Sequence, residues 1–187
     1  SVPLYLLDTN TPYNPPATRE ITARLYSGGA PTRLAQEVLL GIGGMRAMNA
    51  LGLTSKVCHM NEGHAAFSGL ERLAHIMDRY GVDLMTAREI VARSTIFTTH
   101  TPVAAGHDEF PPSMVKPVLQ AYTERLGVSE KEILAWGQPA GASENSPFSM
   151  FILGLRLANY CNGVSKLHGE VARRMWAFVW PDRPIDE

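Results

Sequence analysis

Apolar residues follow two different periods along the chain, and the two periods alternate. Short apolar or β-branched runs predict strands at residues 2–7, 56–60, 95–99 and 163–165. Apolar residues spaced three or four apart predict helices, which cover residues 32–51, 66–80, 112–126, 149–160 and 168–179, with further helices that begin near Thr86 and Ser129. Strands that alternate with helices indicate an α/β fold, with a mostly parallel sheet and helices on both faces.

The predicted helices contain a capping pattern and a run of glycines. Thr86 and Glu89 form a Thr-x-x-Glu pattern, which predicts that Thr86 caps the start of its helix. Gly41, Gly43 and Gly44 lie inside the helix at 32–51, where each glycine costs roughly 1 kcal/mol relative to alanine. We therefore expect that close packing against a neighbour or a local kink requires these glycines.

Polar, histidine-containing motifs follow two of the predicted strands. Asn61, Glu62, Gly63 and His64 come directly after the strand at 56–60, and His100 follows the strand at 95–99. Ligands of open parallel sheets bind at the carboxyl ends of the strands. If the two strands are parallel neighbours, both motifs therefore lie in one crevice.

The chemistry of these motifs leaves more than one interpretation open. Asparagine, glutamate and neutral histidine side chains donate and accept hydrogen bonds in the way that sugar hydroxyls require. Alternatively, Asn61 or Glu62 only caps the following helix, and His100 is a core histidine with satisfied hydrogen bonds.

A metal site is the other chemical hypothesis, because several residues of these motifs are metal ligands by type. The candidates are His59, Glu62, His64, His100 and His107. Their spacing matches neither His-Glu-x-x-His nor His-x-x-Glu-His, and His59 lies on the predicted strand while His64 lies beyond its end. The spacing therefore argues against a shared metal ion.

Composition and charge exclude several classes of partner. The 187 residues are 45% hydrophobic and 19% charged with a formal net charge of −1, which fits a globular domain and gives no basic surface for nucleic acid. The longest apolar stretch, residues 148–157, is shorter than the roughly 20 residues of a membrane span, and residues 1–10 lack the features of a signal peptide. With Cys58 and Cys161 as its two cysteines, the protein is expected in a reducing cytoplasm, without a disulfide.

Five blocks of the sequence, in order, resemble the α-glucan (glycogen and maltodextrin) phosphorylases. The blocks run from Leu4 to Trp176 and read LYLLDTN, LAQEVLLGIGGMRA, CHMNEGHAAF, FTTHTPVAAGHDEFP and NGVSKLHGEVARRMW. The resemblance implies a Rossmann-like lobe of a two-lobed glycosyltransferase of the GT-B type. Such an enzyme cleaves the terminal α-1,4 bond of a glucan with inorganic phosphate, retains the anomeric configuration and releases glucose 1-phosphate.

The same resemblance implies the cofactor, the partners and the site residues. Pyridoxal 5′-phosphate is the family's cofactor, its members are cytoplasmic and include allosteric enzymes, and the full-length protein is expected to dimerise. His100 corresponds to the histidine that binds the glucosyl unit near its 6-hydroxyl, and Glu62 and His64 correspond to the polar wall beside that pocket. With Asn61, these residues are the predicted substrate-binding set. His107 stands where asparagine is expected, and residues 26–33 look like a shortened gate loop.

The family's cofactor lysine is not expected in this chain. It lies in a stretch rich in Gly, Ser and Thr that ends Met-Lys, and none of Lys56, Lys116, Lys131 and Lys166 has that context. We therefore expect residues 1–187 to be the later part of the N-terminal lobe, without the cofactor-binding C-terminal lobe, without catalytic or metal-binding residues and inactive alone. A non-catalytic carbohydrate-binding or regulatory module that kept this lobe remains the first alternative, and a metal-dependent hydrolase is the second. The sequence leaves glycogen, starch and maltodextrin open as substrates.

Overall fold

The computed structural model describes residues 3–25, 28–103 and 106–185. Within them, the central sheet consists of three parallel strands in the order β1 (Cys58–Asn61), β2 (Thr95–Thr99) and β5 (Tyr160–Gly163). A separate antiparallel pair joins β3 (Glu109–Phe110) to β4 (Phe148–Ser149). The predicted parallel sheet is confirmed, and so are the strands predicted at 56–60 and 95–99, which correspond to β1 and β2.

Helices flank the sheet, which confirms the predicted α/β class. The described helices are α1 (Pro16–Arg19), α2 (Ala30–Val38), α3 (Gly44–Ala50), α4 (Phe67–Tyr80), α5 (Leu84–Arg93), α6 (Pro112–Leu126), α7 (Glu130–Trp136), α8 (Met150–Arg156) and α9 (Lys166–Trp176), with short 3-10 turns at Gly63–Ala65 and Ala177–Val179. Gly81 and Gly127, both left-handed, end α4 and α6, as the sequence predicts.

Two apolar cores hold these layers together. The larger one lies among the helices and includes buried Phe67, Leu119 and Phe148. The smaller one covers one face of the sheet, where Phe97 packs edge-on against Phe151 with ring centroids 5.0 Å apart. Side chains at alternate strand positions point to the opposite face; there His59, Asn61, Tyr160 and Asn162 are exposed.

Within the glycine run, Gly41 has the packing role expected of it, whereas a Cβ on Gly44 would meet nothing within 4 Å. Residues Leu39–Gly43 form a π-helical turn between α2 and α3. A Cβ on Gly41 would lie 2.8 Å from the backbone nitrogen of Ser68, at the start of α4. Any larger residue at this position would push the two helices apart.

Four predicted elements differ from the structure. Residues 3–7 form no strand within the described part, since Leu4 and Leu6 stand exposed without a pairing strand, and Val2 lies outside it. Asp83, rather than Thr86, caps α5 by accepting the Thr86 N–H at 2.8 Å. The helix predicted to reach residue 160 ends at Arg156.

The fourth difference is the strand predicted at 163–165. It lies earlier, at Tyr160–Gly163, because Ser165 caps α9 by accepting the backbone N–H of His168. None of the helices in the described ranges has the length and apolarity that crossing a membrane requires. Both cysteines are free thiols.

Candidate functional site

The two polar motifs lie side by side because their strands are neighbours. β1 and β2 run parallel, with Asn61 opposite Thr98. The loop after β1 and the turn after β2 therefore leave the same edge of the sheet. Contact between the two loops confirms the sequence prediction that they are adjacent: the backbone N–H of Glu62 donates to the carbonyl oxygen of Thr98 at 2.9 Å.

Glu62 fixes the turn after β2. Its Oε1 accepts the backbone N–H of His100 in a short hydrogen bond, the backbone N–H of Thr101 at 2.7 Å and the Thr99 hydroxyl at 3.3 Å. The residue is only 7% exposed. The carboxylate that the resemblance assigned to a substrate pocket is therefore turned inward, where it positions His100.

The contacts of Glu62 keep it ionised. Burial raises the pKa of a carboxyl group, but here His107 and the backbone N–H groups of His100 and Thr101 outweigh it and lower the pKa to about 2. His107 Nδ1 lies 3.4 Å from Oε2, and the ring of His107 packs against Phe151 at a centroid distance of 4.3 Å. The unexpected histidine at position 107 thus lies under the candidate site, with its side chain only 2% exposed.

The backbone at Glu62 is strained. Its φ of 61° and ψ of −172° fall in a region that is almost restricted to glycine. The following residue is equally constrained, because a Cβ on Gly63 would lie 2.7 Å from the backbone of Met150 and Phe151. Close packing of the loop against the start of α8 therefore maintains this conformation.

Asn61 and His100 form the solvent-facing part of the site. His100 Nε2 lies 2.9 Å from Asn61 Oδ1, and both residues are exposed. With Nε2 donating to that oxygen, His100 Nδ1 is left as an acceptor and the Asn61 amide group as a donor. A hydroxyl group both donates and accepts, so this pair is suited to bind one.

His64 belongs to a separate ionic cluster. Its Nδ1 lies 3.2 Å from Asp108 Oδ2 and 3.6 Å from Glu37 Oε1. Arg33 joins the same two carboxylates, with Nη2 2.6 Å from Asp108 Oδ2 and 3.1 Å from Glu37 Oε1. The structure thus brings Asn61, Glu62 and His100 together, and it directs the His64 ring to α2 and Asp108.

Protonation within the cluster follows from these contacts. Hydrogen bonds to Asp108 and Glu37 raise the pKa of His64 to about 9. Burial raises the pKa of Glu37 to about 8. The hydrogen bond from His64 is the main cause that lowers the pKa of Asp108. At neutral pH, His64 is therefore a cation that Asp108 holds in place.

The residues that could hold a metal ion in the structure differ from the ligands that the sequence suggested. Donor atoms of Glu37, His64 and Asp108 all lie within 4.8 Å of one another, as a metal site requires, but the Arg33 guanidinium already bridges the two carboxylates. The other predicted ligands point elsewhere; for example, His59 Nε2 lies 2.7 Å from Thr98 Oγ1. An ion cluster closed by arginine describes the geometry better than a metal site does.

Sequence reasoning missed three members of this cluster. Arg33 and Glu37 are four residues apart on α2, a spacing that brings the two side chains together on one helix face. That signal was available, whereas the contact with Asp108, 75 residues further along the chain, depends on the fold. Of the predicted gate loop, residues 26 and 27 lie outside the described ranges, and Ala30 to Arg33 form the first turn of α2.

The lysines do not fit the cofactor that the resemblance implies. A Schiff-base lysine needs an enclosed pocket that lowers its pKa. Lys116 and Lys131 instead lie 3.3 and 2.5 Å from surface carboxylates of Glu130 and Glu144, and Lys56 and Lys166 are exposed. We therefore assign no chemical step in this chain to pyridoxal phosphate.

Comparison with known proteins identifies relatives along the whole chain. No protein-family model matches it. It is 44% identical to the maltodextrin phosphorylase of Thermococcus litoralis over 186 residues, which cover 100% of this chain and 21% of that protein. It is 44% identical to the glycogen phosphorylase of Mycobacterium tuberculosis over 198 residues, which cover 100% of this chain and 22% of that protein.

A third relative, with lower identity, is also a phosphorylase and also matches nearly the whole chain. The glycogen phosphorylase of Aquifex aeolicus is 36% identical over 186 residues, which cover 98% of this chain and 26% of that protein. The chain therefore spans about a fifth to a quarter of the length of these relatives. By its sequence similarity over nearly every residue, the chain corresponds to one segment of the glycogen and maltodextrin phosphorylases.

Proposed function

We propose that this chain forms one wall of the glucan-binding site of a phosphorylase that releases glucose 1-phosphate from α-1,4-glucan and inorganic phosphate. The observation that carries the proposal is the exposed pair of Asn61 and His100, 2.9 Å apart at the carboxyl ends of two parallel strands. Similarity to the glycogen and maltodextrin phosphorylases supports the reaction. The contact between Asn61 and His100 supports the choice of site residues.

The proposed site residues have different roles. Asn61 and His100 bind a sugar hydroxyl directly, because they are exposed and offer a donor next to an acceptor. Glu62 positions His100 through the backbone of the turn. His64, held as a cation by Asp108, adds positive charge beside the loop and fixes its conformation.

We further propose that these residues are the later part of the N-terminal lobe of a GT-B enzyme, in a cytoplasmic protein. In this proposal, pyridoxal phosphate and the groups that bind inorganic phosphate belong to a second lobe, as the surface positions of all four lysines suggest. The cofactor supplies its 5′-phosphate as the proton-transferring group when it is bound. The residues described here bind and orient the sugar.

The proposal is tested by titrating the protein with maltoheptaose and following backbone amide NMR shifts. Shifts should concentrate in residues 59–65 and 98–101, and His100→Ala and Asn61→Ala should each weaken binding about five- to tenfold, as the loss of one hydrogen bond implies. His75→Ala, on α4, is the matched control and should leave binding unchanged. Unchanged affinity in both site variants would remove the pair from the site.

A further inference from the structure

A cavity separate from the Asn61–His100 pair lies beside the carboxyl ends of β2 and β5. It has a volume of about 660 Å³, within the range of small-molecule sites. Thr99, Asn162 and Gly163 contribute the strand ends, while α5, α8, α9 and residues 180–185 supply the remaining walls. We call it the arginine pocket, after the lining residues Arg88, Arg156, Arg173 and Arg183.

The described lining of the arginine pocket is positively charged. Among the residues that the structure describes, four arginines and no acidic residue line it. Among the described residues, Arg173 and Arg183 form no ion pair with a carboxylate. Burial lowers the pKa of the Arg156 guanidinium, and repulsion by Arg88 lowers it further. An anion between these side chains would relieve that repulsion.

Two of the arginines are already held in place. The Arg156 guanidinium donates a hydrogen bond to the backbone carbonyl of Ala135. Arg88 lies over the ring of Trp136, with its guanidinium carbon 4.8 Å from the centroid. Fixed guanidinium groups bind phosphate oxygens with little further loss of side-chain entropy.

The floor of the pocket is aromatic. Trp176 stacks on Phe151 with ring centroids 3.9 Å apart and an interplanar angle of 17°. Trp180, at the rim, is 37% exposed and therefore open to a ligand. Asn159, which also lines the pocket, carries an amide group for hydrogen bonds. An aromatic surface with a neighbouring amide suits a ring that carries hydroxyl or imino groups.

We propose that the arginine pocket binds an organic phosphate monoester, with the phosphate among the arginines and the attached ring against Trp180. A simple anion would leave the aromatic floor unused, and a neutral ring would leave the repulsion between Arg88 and Arg156 in place. This site does not depend on the proposed glucan site, because neither Asn61 nor His100 lines it.

The test is isothermal titration calorimetry of the 187-residue protein with four ligands. Ribose 5-phosphate and uridine 5′-monophosphate are the two phosphate monoesters, one without and one with a planar base. Inorganic phosphate and uridine are the partial ligands. We expect both monoesters to bind at least about tenfold more tightly than either partial ligand, because each of those lacks one of the two interactions.

Variants locate the binding site. Arg173→Gln combined with Arg183→Gln should weaken binding of the monoesters at least about tenfold, and added salt should weaken it in the wild type. Arg174→Gln is the matched control, since Arg174 is the exposed neighbour on α9 that does not line the pocket. Circular dichroism should show that all variants remain folded.

The two monoesters distinguish the kinds of ring that the pocket accepts. Equal affinities show recognition of a sugar phosphate, and tighter binding of the nucleotide shows that the base stacks on Trp180. The proposal is wrong if neither monoester binds at about 1 mM. It is equally wrong if inorganic phosphate binds as tightly as they do, or if Arg174→Gln weakens binding as much as the double variant.

Discussion

Removal of the Glu62 side chain tests how the turn that carries His100 is held. In Glu62→Ala, the backbone N–H groups of His100 and Thr101 lose a charged acceptor. Each such bond contributes about 1.5–3 kcal/mol. Because the turn is partly exposed, water replaces some of that contribution. We expect the free energy of unfolding to fall by about 2–4 kcal/mol.

Glycine at position 62 separates the lost hydrogen bonds from the backbone strain. Glu62→Gly loses the same carboxylate but relieves a φ of 61° that costs roughly 1–3 kcal/mol in a residue with a Cβ. At an ordinary position, glycine is less stable than alanine by about 0.4–1 kcal/mol. Here we expect the order to reverse, with Glu62→Gly the more stable of the two variants.

Urea denaturation followed by tryptophan fluorescence measures these differences, provided that unfolding is two-state. Glu124→Gln, at an exposed site on α6, is the control and should change the free energy of unfolding by less than about 0.5 kcal/mol. If Glu62→Ala is as stable as the wild type, the carboxylate does not hold the turn. If Glu62→Ala is more stable than Glu62→Gly, the backbone is not strained.

The low pKa of Glu62 adds a dependence on pH. Its pKa in the folded protein, about 2, lies below the ordinary 4.5, so the folded state favours the ionised form. The stability that this provides is complete above pH 4.5 and is lost as the pH falls towards 2. The difference in free energy of unfolding between wild type and Glu62→Gln should narrow over that interval, and a constant difference would contradict the assignment.

Three further predictions concern the neighbouring packing and charge. Because His64 has its pKa raised from 6.5 to about 9, its contribution to stability is complete below pH 6.5 and is lost as the pH rises through 9; thermal melts should show this loss in the wild type, and an equally steep decline in His64→Gln would contradict it. Gly63→Ala should destabilise the protein by about 1–3 kcal/mol in urea, because the added Cβ meets the backbone of Met150 at 2.7 Å, and a neutral effect would show that the loop can shift. Tyr122→Phe removes a 2.5 Å hydrogen bond to buried Glu71 and should cost about 1–3 kcal/mol by the same measurement, whereas an unchanged midpoint would show that water replaces the hydroxyl.

The sequence predicted the parts of the fold that local patterns determine. β2 follows from its β-branched residues, and α4 and α6 end at residues 80 and 126, where the helical period of apolar residues predicts their ends. The strand assigned to residues 2–7 failed because an apolar run becomes a strand only if another strand pairs with it. Pairing is a property of the fold, and no local pattern reveals it.

In the candidate site, the positions of the loops could be predicted, but the directions of the side chains could not. Adjacency of the loops at Asn61 and His100 was predicted on the condition that their strands are parallel neighbours, and the structure meets that condition. The direction of each side chain did not follow, because the strained backbone at Glu62 turns its carboxylate towards the protein interior. Likewise, the attachment of His64 to Asp108 depends on two loops that are far apart in sequence.

The order of the central sheet has a consequence for handling the protein. With β2 in the middle, β1 and β5 are both outer strands, and within the described ranges each leaves one row of backbone N–H and C=O groups without a strand partner. Such a row is a template onto which a strand from any other chain can add. Samples of the isolated protein should therefore associate more as they are concentrated, and solution measurements belong at the lowest concentration that the signal allows.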